Sequence, residues 1–257
     1  MQDLINIFDT HSHYDDPRFD GVREELVASL FDRGISGIIH AAVDFKSSEY
    51  GTAAAKSYEK YYAAVGIHPE NLYDAQGDYI NRLREAALSC KKVVAIGEIG
   101  LDYHYEGYDR EAQIKVFREQ IVLANELSLP IIVHCRDAVG DCMDILRELK
   151  PKGVMHCFSG SEETAKELIS LGMYIGFTGA LTFKNSKKAQ RVAQYLPIDR
   201  LLLETDCPYM APEPFRGKTC DSSMIRFTAQ KAAELKGMDC AELLVRTREN
   251  AERLFGI

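Results

Sequence analysis

Short apolar runs rich in β-branched residues alternate along the chain with stretches whose apolar positions recur every three or four residues. The runs predict strands at Ile5–Phe8, Gly37–Val43, Tyr62–Val65, Val93–Ile96, Ile131–Val133, Gly153–Met155, Tyr174–Phe177 and Leu201–Leu203. Between them, Val22–Asp32 sets Val22, Leu26, Leu30 and Phe31 on one helical stripe, and Glu111–Leu127 does the same with Ile114, Phe117, Ile121 and Leu127. The strands are continuous apolar runs rather than alternating ones, as parallel strands buried on both faces require. Eight such strands with helices between them, and no linker or composition break, predict an α/β fold, the (β/α)8 TIM barrel. It is expected as a single domain over residues 1–257, with its active site at the C-terminal ends of the strands. The tail Asp221–Phe255 reads as two helices parted near Gly237. No internal repeat is visible.

Composition narrows the class. With 257 residues, 46% hydrophobic and 27% charged, the chain is neither collagen-like nor of low complexity nor disordered. Thirty-one basic against 39 acidic residues leave a net charge of −8, which excludes broad electrostatic coating of nucleic acid. The seven cysteines are odd in number and include no CxxC, so neither a disulfide framework nor a thiolate zinc site is expected. Cys135, Cys157 and Cys207 lie in or beside apolar runs and read as small hydrophobes. Met1–Asn6 lacks the basic start of a signal peptide, and no run approaches the ~18 apolar residues of a membrane span. A cytoplasmic protein without a membrane partner or an obligate protein partner is expected.

Polar chemistry falls at the ends of the strands. His11 and His13 follow the first, and a spacing of two in extended chain puts both imidazoles on one face. Glu98 follows Val93–Ile96, His134 ends Ile131–Val133, His156 ends Gly153–Met155, and Asp206 follows Leu201–Leu203. Taken singly, the histidines read as hydrogen-bonded core residues, Glu98 as half of an ion pair and Asp206 as a loop cap. Jointly, four histidines and two carboxylates at one mouth supply ligands for two divalent ions, with Glu98 able to bridge them. Paired ions about 3.5–4 Å apart suit attack by an activated water on a phosphoryl or acyl centre. Asp206 is then both ligand and general base.

In order along the chain stand Asp9-Thr10-His11-Ser12-His13, Gly66-Ile67-His68-Pro69, Gly97-Glu98-Ile99-Gly100-Leu101-Asp102-Tyr103, His134-Cys135-Arg136, His156-Cys157-Phe158-Ser159-Gly160, Leu202–Tyr209 and Arg216-Gly217-Lys218. With Asn250–Phe255 near the end, this series resembles the TatD-type metal-dependent deoxyribonucleases, a branch of the amidohydrolase-like barrels. The resemblance implies His11, His13, Glu98, His134, His156 and Asp206 as metal ligands, and magnesium, manganese or zinc as the two divalent ions. It also implies hydrolysis of phosphodiester bonds in DNA, often from the 3′ end. Two departures stand out. Cys207 replaces a small residue such as Ala, and Thr219-Cys220-Asp221-Ser222 replaces an Asn and a Pro, which puts that loop's support of the site in question.

Other residues carry two readings each. His68 is a phosphate-contacting or proton-donating group, or a structural hydrogen bonder. Arg136 neutralises a substrate phosphate through its bidentate fork, or pairs with Asp137 or Glu98. Asp102 and Tyr103 position substrate or form a turn, Asp9 orients an imidazole, and Ser159–Ser161 hold an anion or simply cap a helix. His40 and His104 read as structural or surface residues. Competing functions are deacylation of D-aminoacyl-tRNA, hydrolysis of a small cyclic amide or lactone, and a non-catalytic barrel. Cyclic-amide hydrolases of this superfamily often carry a carboxylated lysine where Glu98 stands, which favours the nuclease. Two divalent ions against two carboxylates make a cationic mouth on an acidic body, extended by Arg136, Lys184, Arg216 and Lys218. The acidic balance therefore predicts a short DNA end, single-stranded or a 3′ terminus, held mainly at the metals.

Overall fold

The computed structural model describes residues 4–257. The expectation about a signal peptide falls partly on residues 1–3, outside the described residues. Among the described residues, no helix is long and apolar enough to cross a membrane.

Eight strands form one sheet in chain order: β1 (Ile7–Ser12), β2 (Ile35–Ala41), β3 (Tyr61–Val65), β4 (Val93–Asp102), β5 (Ile131–Arg136), β6 (Gly153–Met155), β7 (Tyr174–Phe177) and β8 (Leu201–Leu203). Helices alternate with them: α1 (Arg23–Asp32), α2 (Phe45–Ser57), α3 (Tyr79–Leu88), α4 (Arg110–Leu127), α5 (Val139–Leu149), α6 (Glu162–Ser170), α7 (Lys187–Tyr195), α8 (Ile225–Lys236) and α9 (Cys240–Phe255). This is the (β/α)8 barrel fold that the apolar runs predict.

Three strands run further than their apolar stretches suggest. β1 starts at Ile7, after Asn6 at a left-handed φ of 65°, leaves Ile5 exposed, and continues to Ser12. β4 continues six residues beyond Ile96, and β5 three beyond Val133. The reason lies in the backbone. Ile99 pairs with Val133, Gly100 with His134, Leu101 with Cys135 and Asp102 with Arg136, so the ladder persists where the side chains have turned polar. Glu98, Asp102 and His134 therefore sit within strands, not in the loops after them.

By its internal contacts the chain divides into two compact units. One comprises the residues up to His40, Cys157–Ser170 and Tyr174–Arg253. It carries β1, most of β2, β7 and β8, with parallel registers such as Asp9 to Ile38 and Gly176 to Leu202. An isolated parallel bridge links Ser12 to Cys207, beyond the end of β8. In α1 Leu30 is buried as expected and Leu26 and Phe31 are half-buried, whereas Val22 is 53% exposed and precedes the helix, and Val27 completes the buried face. α8 ends at Gly237, whose φ of 64° supplies the left-handed cap that parts the two terminal helices.

The other unit comprises Ala41–His156, Leu171–Met173 and Leu254–Ile257, and it contains β3 to β6. Asp44 caps α2 by accepting the Ser47 N–H at 2.7 Å, and Asp109 caps α4 by accepting that of Ala112 at 3.0 Å. α4 buries Phe117 and Ile121 as its periodicity predicts, and it also buries two amides, Gln113 and Gln120.

Candidate metal centres

In the first unit, β1 carries His11 near its end, and His13 follows one residue past the strand. Their Nε2 atoms lie 3.0 Å apart. Asp206 stands three residues past β8 at a φ of 60°, a left-handed conformation that Asp adopts more readily than most residues. The Asp206 N–H donates to the His11 carbonyl and the His13 N–H to the Cys207 carbonyl, both at 2.9 Å, so the turn after β8 is tied to the end of β1. This places Asp206 Oδ1 3.3 Å from His13 Nε2 and 3.8 Å from His11 Nε2. Ligands about 2.1 Å from a tetrahedral ion are about 3.4 Å from one another. The three donors are spaced to share a cation.

A buried polar network supports them. Asp9 Oδ1 accepts the N–H of His11 at 3.2 Å and of Thr205 at 3.0 Å, while Oδ2 accepts the hydroxyls of Thr205 and Ser222, both at 2.6 Å. Burial pushes the Asp9 carboxyl up to about 7 against those four donors. Asp9 thus fixes the backbone of His11, where an imidazole was the expected partner. Ser222, in the loop that departs from the family pattern, also bonds twice to Tyr14, accepting from its hydroxyl at 2.7 Å and donating its own N–H at 2.9 Å. That loop supports the site through Ser222. Glu204 is buried nearby and accepts the N–H of Cys157 at 2.5 Å. A Cβ on Gly176 would stand 2.3 Å from Glu204 Oε2, so the carboxylate occupies the room that the glycine leaves.

In the second unit, Glu98 Oε1 lies 2.9 Å from both His134 Nδ1 and His156 Nε2, and 3.7 Å from His68 Nε2. The two ring nitrogens on Glu98 are themselves 3.4 Å apart. Again the spacing is that of ligands around one ion. His134 Nε2 meets Asp102 Oδ2 at 3.0 Å, so Asp102 fixes the tautomer that turns Nδ1 toward Glu98. Burial opposes a charge on His134, but the hydrogen bonds to Asp102 and Glu98 outweigh it and raise the ring to about 9. Asp102 is correspondingly held below the usual carboxylate range, burial notwithstanding, by His134 and by the His104 N–H it accepts at 2.9 Å.

Two features hold these side chains in place. Gly100 lies so close to β5 that a Cβ would stand 1.9 Å from the His134 carbonyl oxygen, and its φ is 153°. Gln113 and Gln120 of α4 each bond twice to strand-end backbone, Gln113 to Asp102 and Gln120 to Ile67. Their signal in the sequence is slight: two glutamines seven apart on a helical face that is otherwise apolar.

The remaining expected residues fall as follows. Arg136 ends β5, is exposed, and donates to the Tyr105 hydroxyl at 3.3 Å rather than to Asp137 or Glu98. Asp137 instead meets His104 Nδ1 at 2.9 Å. His40 is buried, 3.8 Å from Asp15. Ser161 caps α6, its hydroxyl accepting the Thr164 N–H at 3.2 Å. Cys207 is buried as expected, whereas Cys135 and Cys157 are half-buried.

Imidazole and carboxylate donors at metal spacing, set at the C-terminal ends of (β/α)8 strands, belong to a metal-dependent hydrolase. Comparison with known proteins gives the family. A family model described as TatD related DNase matches residues 8–256. The metal-dependent hydrolase YabD of Bacillus subtilis (strain 168) is 41% identical over 254 residues, covering 98% of this chain and 99% of that protein. The 3'-5' ssDNA/RNA exonuclease TatD of Cronobacter sakazakii is 33% identical over 258 residues, covering 97% of each. Among solved structures, YjjV, a TatD homolog from Escherichia coli K12, superposes with a TM-score of 0.92 at 31% identity over 98% of both chains. The chain belongs to the TatD-related DNase family.

Proposed function

We propose that this chain is a two-metal nuclease that hydrolyses phosphodiester bonds of single-stranded DNA from the 3′ end. The observation that carries the reading is the donor spacing, a His-His-Asp set in one unit and a Glu-His-His set in the other. His11, His13 and Asp206 would hold one divalent ion, and Glu98, His134 and His156 the other; the imidazoles suit zinc, while magnesium or manganese would rely mainly on the carboxylates and water. Bound there, the ions would lower the pKa of water and offset charge on the phosphate. Asp206 accepts the proton of the attacking water, being a carboxylate at the edge of its set. His68, 3.7 Å from Glu98, is the group we assign to the leaving oxygen. Arg136, whose guanidinium is exposed, binds a neighbouring phosphate. Residues 1–257 are read as one catalytic domain, in line with a family match that runs from 8 to 256. The cytoplasm is the assigned compartment, since no disulfide joins Cys90, Cys135, Cys142, Cys207, Cys220 or Cys240.

The test is metal analysis followed by an assay on 5′-labelled single-stranded DNA, with and without chelator. Two ions per chain and stepwise shortening from the 3′ end that chelator abolishes are expected. Undiminished cleavage by metal-stripped protein would overturn the mechanism. A metal-loaded protein inert on DNA would overturn the substrate and direct attention to esters of D-aminoacyl-tRNA or cyclic amides.

A further inference from the structure

β4 runs from Glu98 and Asp102 straight into an aromatic segment, Tyr103-His104-Tyr105-Glu106-Gly107-Tyr108. Two of its rings are already used. Tyr103 and Tyr108 stack on each other at 4.6 Å with 11° between their planes, and the Tyr103 hydroxyl donates to Asp141 at 2.6 Å. Tyr105 differs. It is 54% exposed, yet it is held in place. The His104 ring meets it edge to face at 5.1 Å, and the Arg136 guanidinium lies 5.3 Å from its centroid with one nitrogen 3.3 Å from its hydroxyl. His104 is in turn fixed by Asp137 at 2.9 Å.

A large aromatic ring kept half in water, oriented by its neighbours and paired with an arginine, matches the repeat of a nucleic-acid strand: a flat base and a phosphate. Stacking of a base on such a ring is indifferent to sequence, because every base has a π-face. In a duplex those faces are covered by neighbouring pairs, so only a single strand or a frayed end can present one. We propose that Tyr105 is a base-stacking platform that seats one nucleobase of a single-stranded substrate, while Arg136 takes an adjacent phosphate. The inference rests on the nuclease reading and adds to it the residue that selects single strands.

The chain has no tryptophan, so Tyr105→Trp introduces a single indole that can be excited apart from the tyrosines. A ten-nucleotide single-stranded DNA should quench it, without added metal, and the same oligonucleotide in duplex form should not. In the metal-loaded enzyme, an abasic residue is moved through the last four positions of the 3′ end. One position should raise the wild-type KM roughly tenfold. Tyr105→Ala should show that rise already on the intact strand and less than twofold more on the abasic one. Tyr105→Phe, which keeps the ring, should behave as wild type. Equal quenching by duplex and single strand, no sensitive position in the wild type, or a Tyr105→Ala KM within twofold of wild type would each overturn the platform. A wild-type enzyme that cleaves no DNA at all overturns the nuclease reading instead, and the platform with it.

Discussion

The side-chain amide of Gln113 closes a ring with the backbone of Asp102: its Oε1 accepts the Asp102 N–H and its Nε2 donates to the Asp102 carbonyl, both at 2.8 Å. Seven residues on, Gln120 treats Ile67 in the same way at 2.8 and 3.0 Å. One face of α4 thus sets the backbone beside Asp102, which orients His134, and beside His68. The amides thus pair with backbone beyond the β3–β4 ladder, whose last register pair is Val65 with Ile96.

Replacing Gln113 by Ala leaves a buried N–H and a buried C=O without their partners, at a cost of about 1–3 kcal/mol for each group left unsatisfied. Gln113→Ala is therefore expected to lower the urea midpoint clearly and to weaken metal binding, because the Asp102 carboxylate loses its fixed position. Gln120→Ala should cost similar stability. Equilibrium unfolding of the two variants and the double mutant checks this. Midpoints within error of wild type would show the ring to be dispensable.

The contrast between these glutamines and the metal-binding candidates explains what was legible in the sequence. His11, His13, Glu98, His134, His156 and Asp206 stand out because each interrupts or ends an apolar run, and burying a polar group there is costly without a partner. The eight strands stand out for the same reason, through continuous apolarity. What the residues could not show was the backbone ladder continuing under polar side chains, as in Ile99–Asp102 against Val133–Arg136. Equally hidden were the residues that bond to backbone. Gln113, Gln120, Ser222 and Thr205 are ordinary polar residues, and their roles come from partners 11, 53, 213 and 196 positions away. Of the Tyr105–Arg136 pair only Arg136 is legible in the sequence, as a phosphate ligand; its contact across 31 residues requires the fold.

Gly100 is the position where the two strands approach most demandingly. A methyl group there would stand 1.9 Å from a main-chain oxygen of β5 and would also face a φ of 153°. Gly100→Ala is expected to prevent stable folding or to force β4 and β5 apart at His134. Soluble yield and thermal unfolding are the measurements. A variant that folds with a wild-type midpoint would mean that this close approach relaxes freely.

Ser222 lies in the segment that departs from the family pattern, and its hydroxyl is one of two that Asp9 accepts. A hydrogen bond contributes about 0.5–1.5 kcal/mol to a neutral acceptor and about 1.5–3 kcal/mol to a charged one, and the Asp9 carboxyl, at about 7, is divided between the two forms near neutral pH. Ser222→Ala should lose stability of that order and should loosen the His11 backbone that Asp9 holds. Ser222→Thr, which keeps a hydroxyl, should recover part of the loss. The pair of variants, followed by unfolding and by metal affinity, separates loss of the hydroxyl from loss of packing; equal damage in both would assign the effect to packing.

His134 gives the site a definite response to pH. Without an ion, its ring holds a proton to about 9 against an ordinary value of 6.5, since Glu98 and Asp102 both bond to it. A metal at Nδ1 must displace that proton. Affinity is therefore expected to rise about tenfold per pH unit below 9 and to level off above it, with one proton released per ion bound. The same shift bears on stability in the opposite direction. A folded-state pKa above the unfolded one contributes stability that is fully present below 6.5 and is lost as pH rises through 9. For the metal-free protein that loss is of order 3 kcal/mol. Calorimetric titration in two buffers of different ionisation enthalpy counts the proton, and unfolding of chelator-treated protein between pH 6 and 10 reads the stability. Metal affinity that stays flat from pH 6 to 9 would show that no proton leaves His134, and Nδ1 would then be excluded as a ligand.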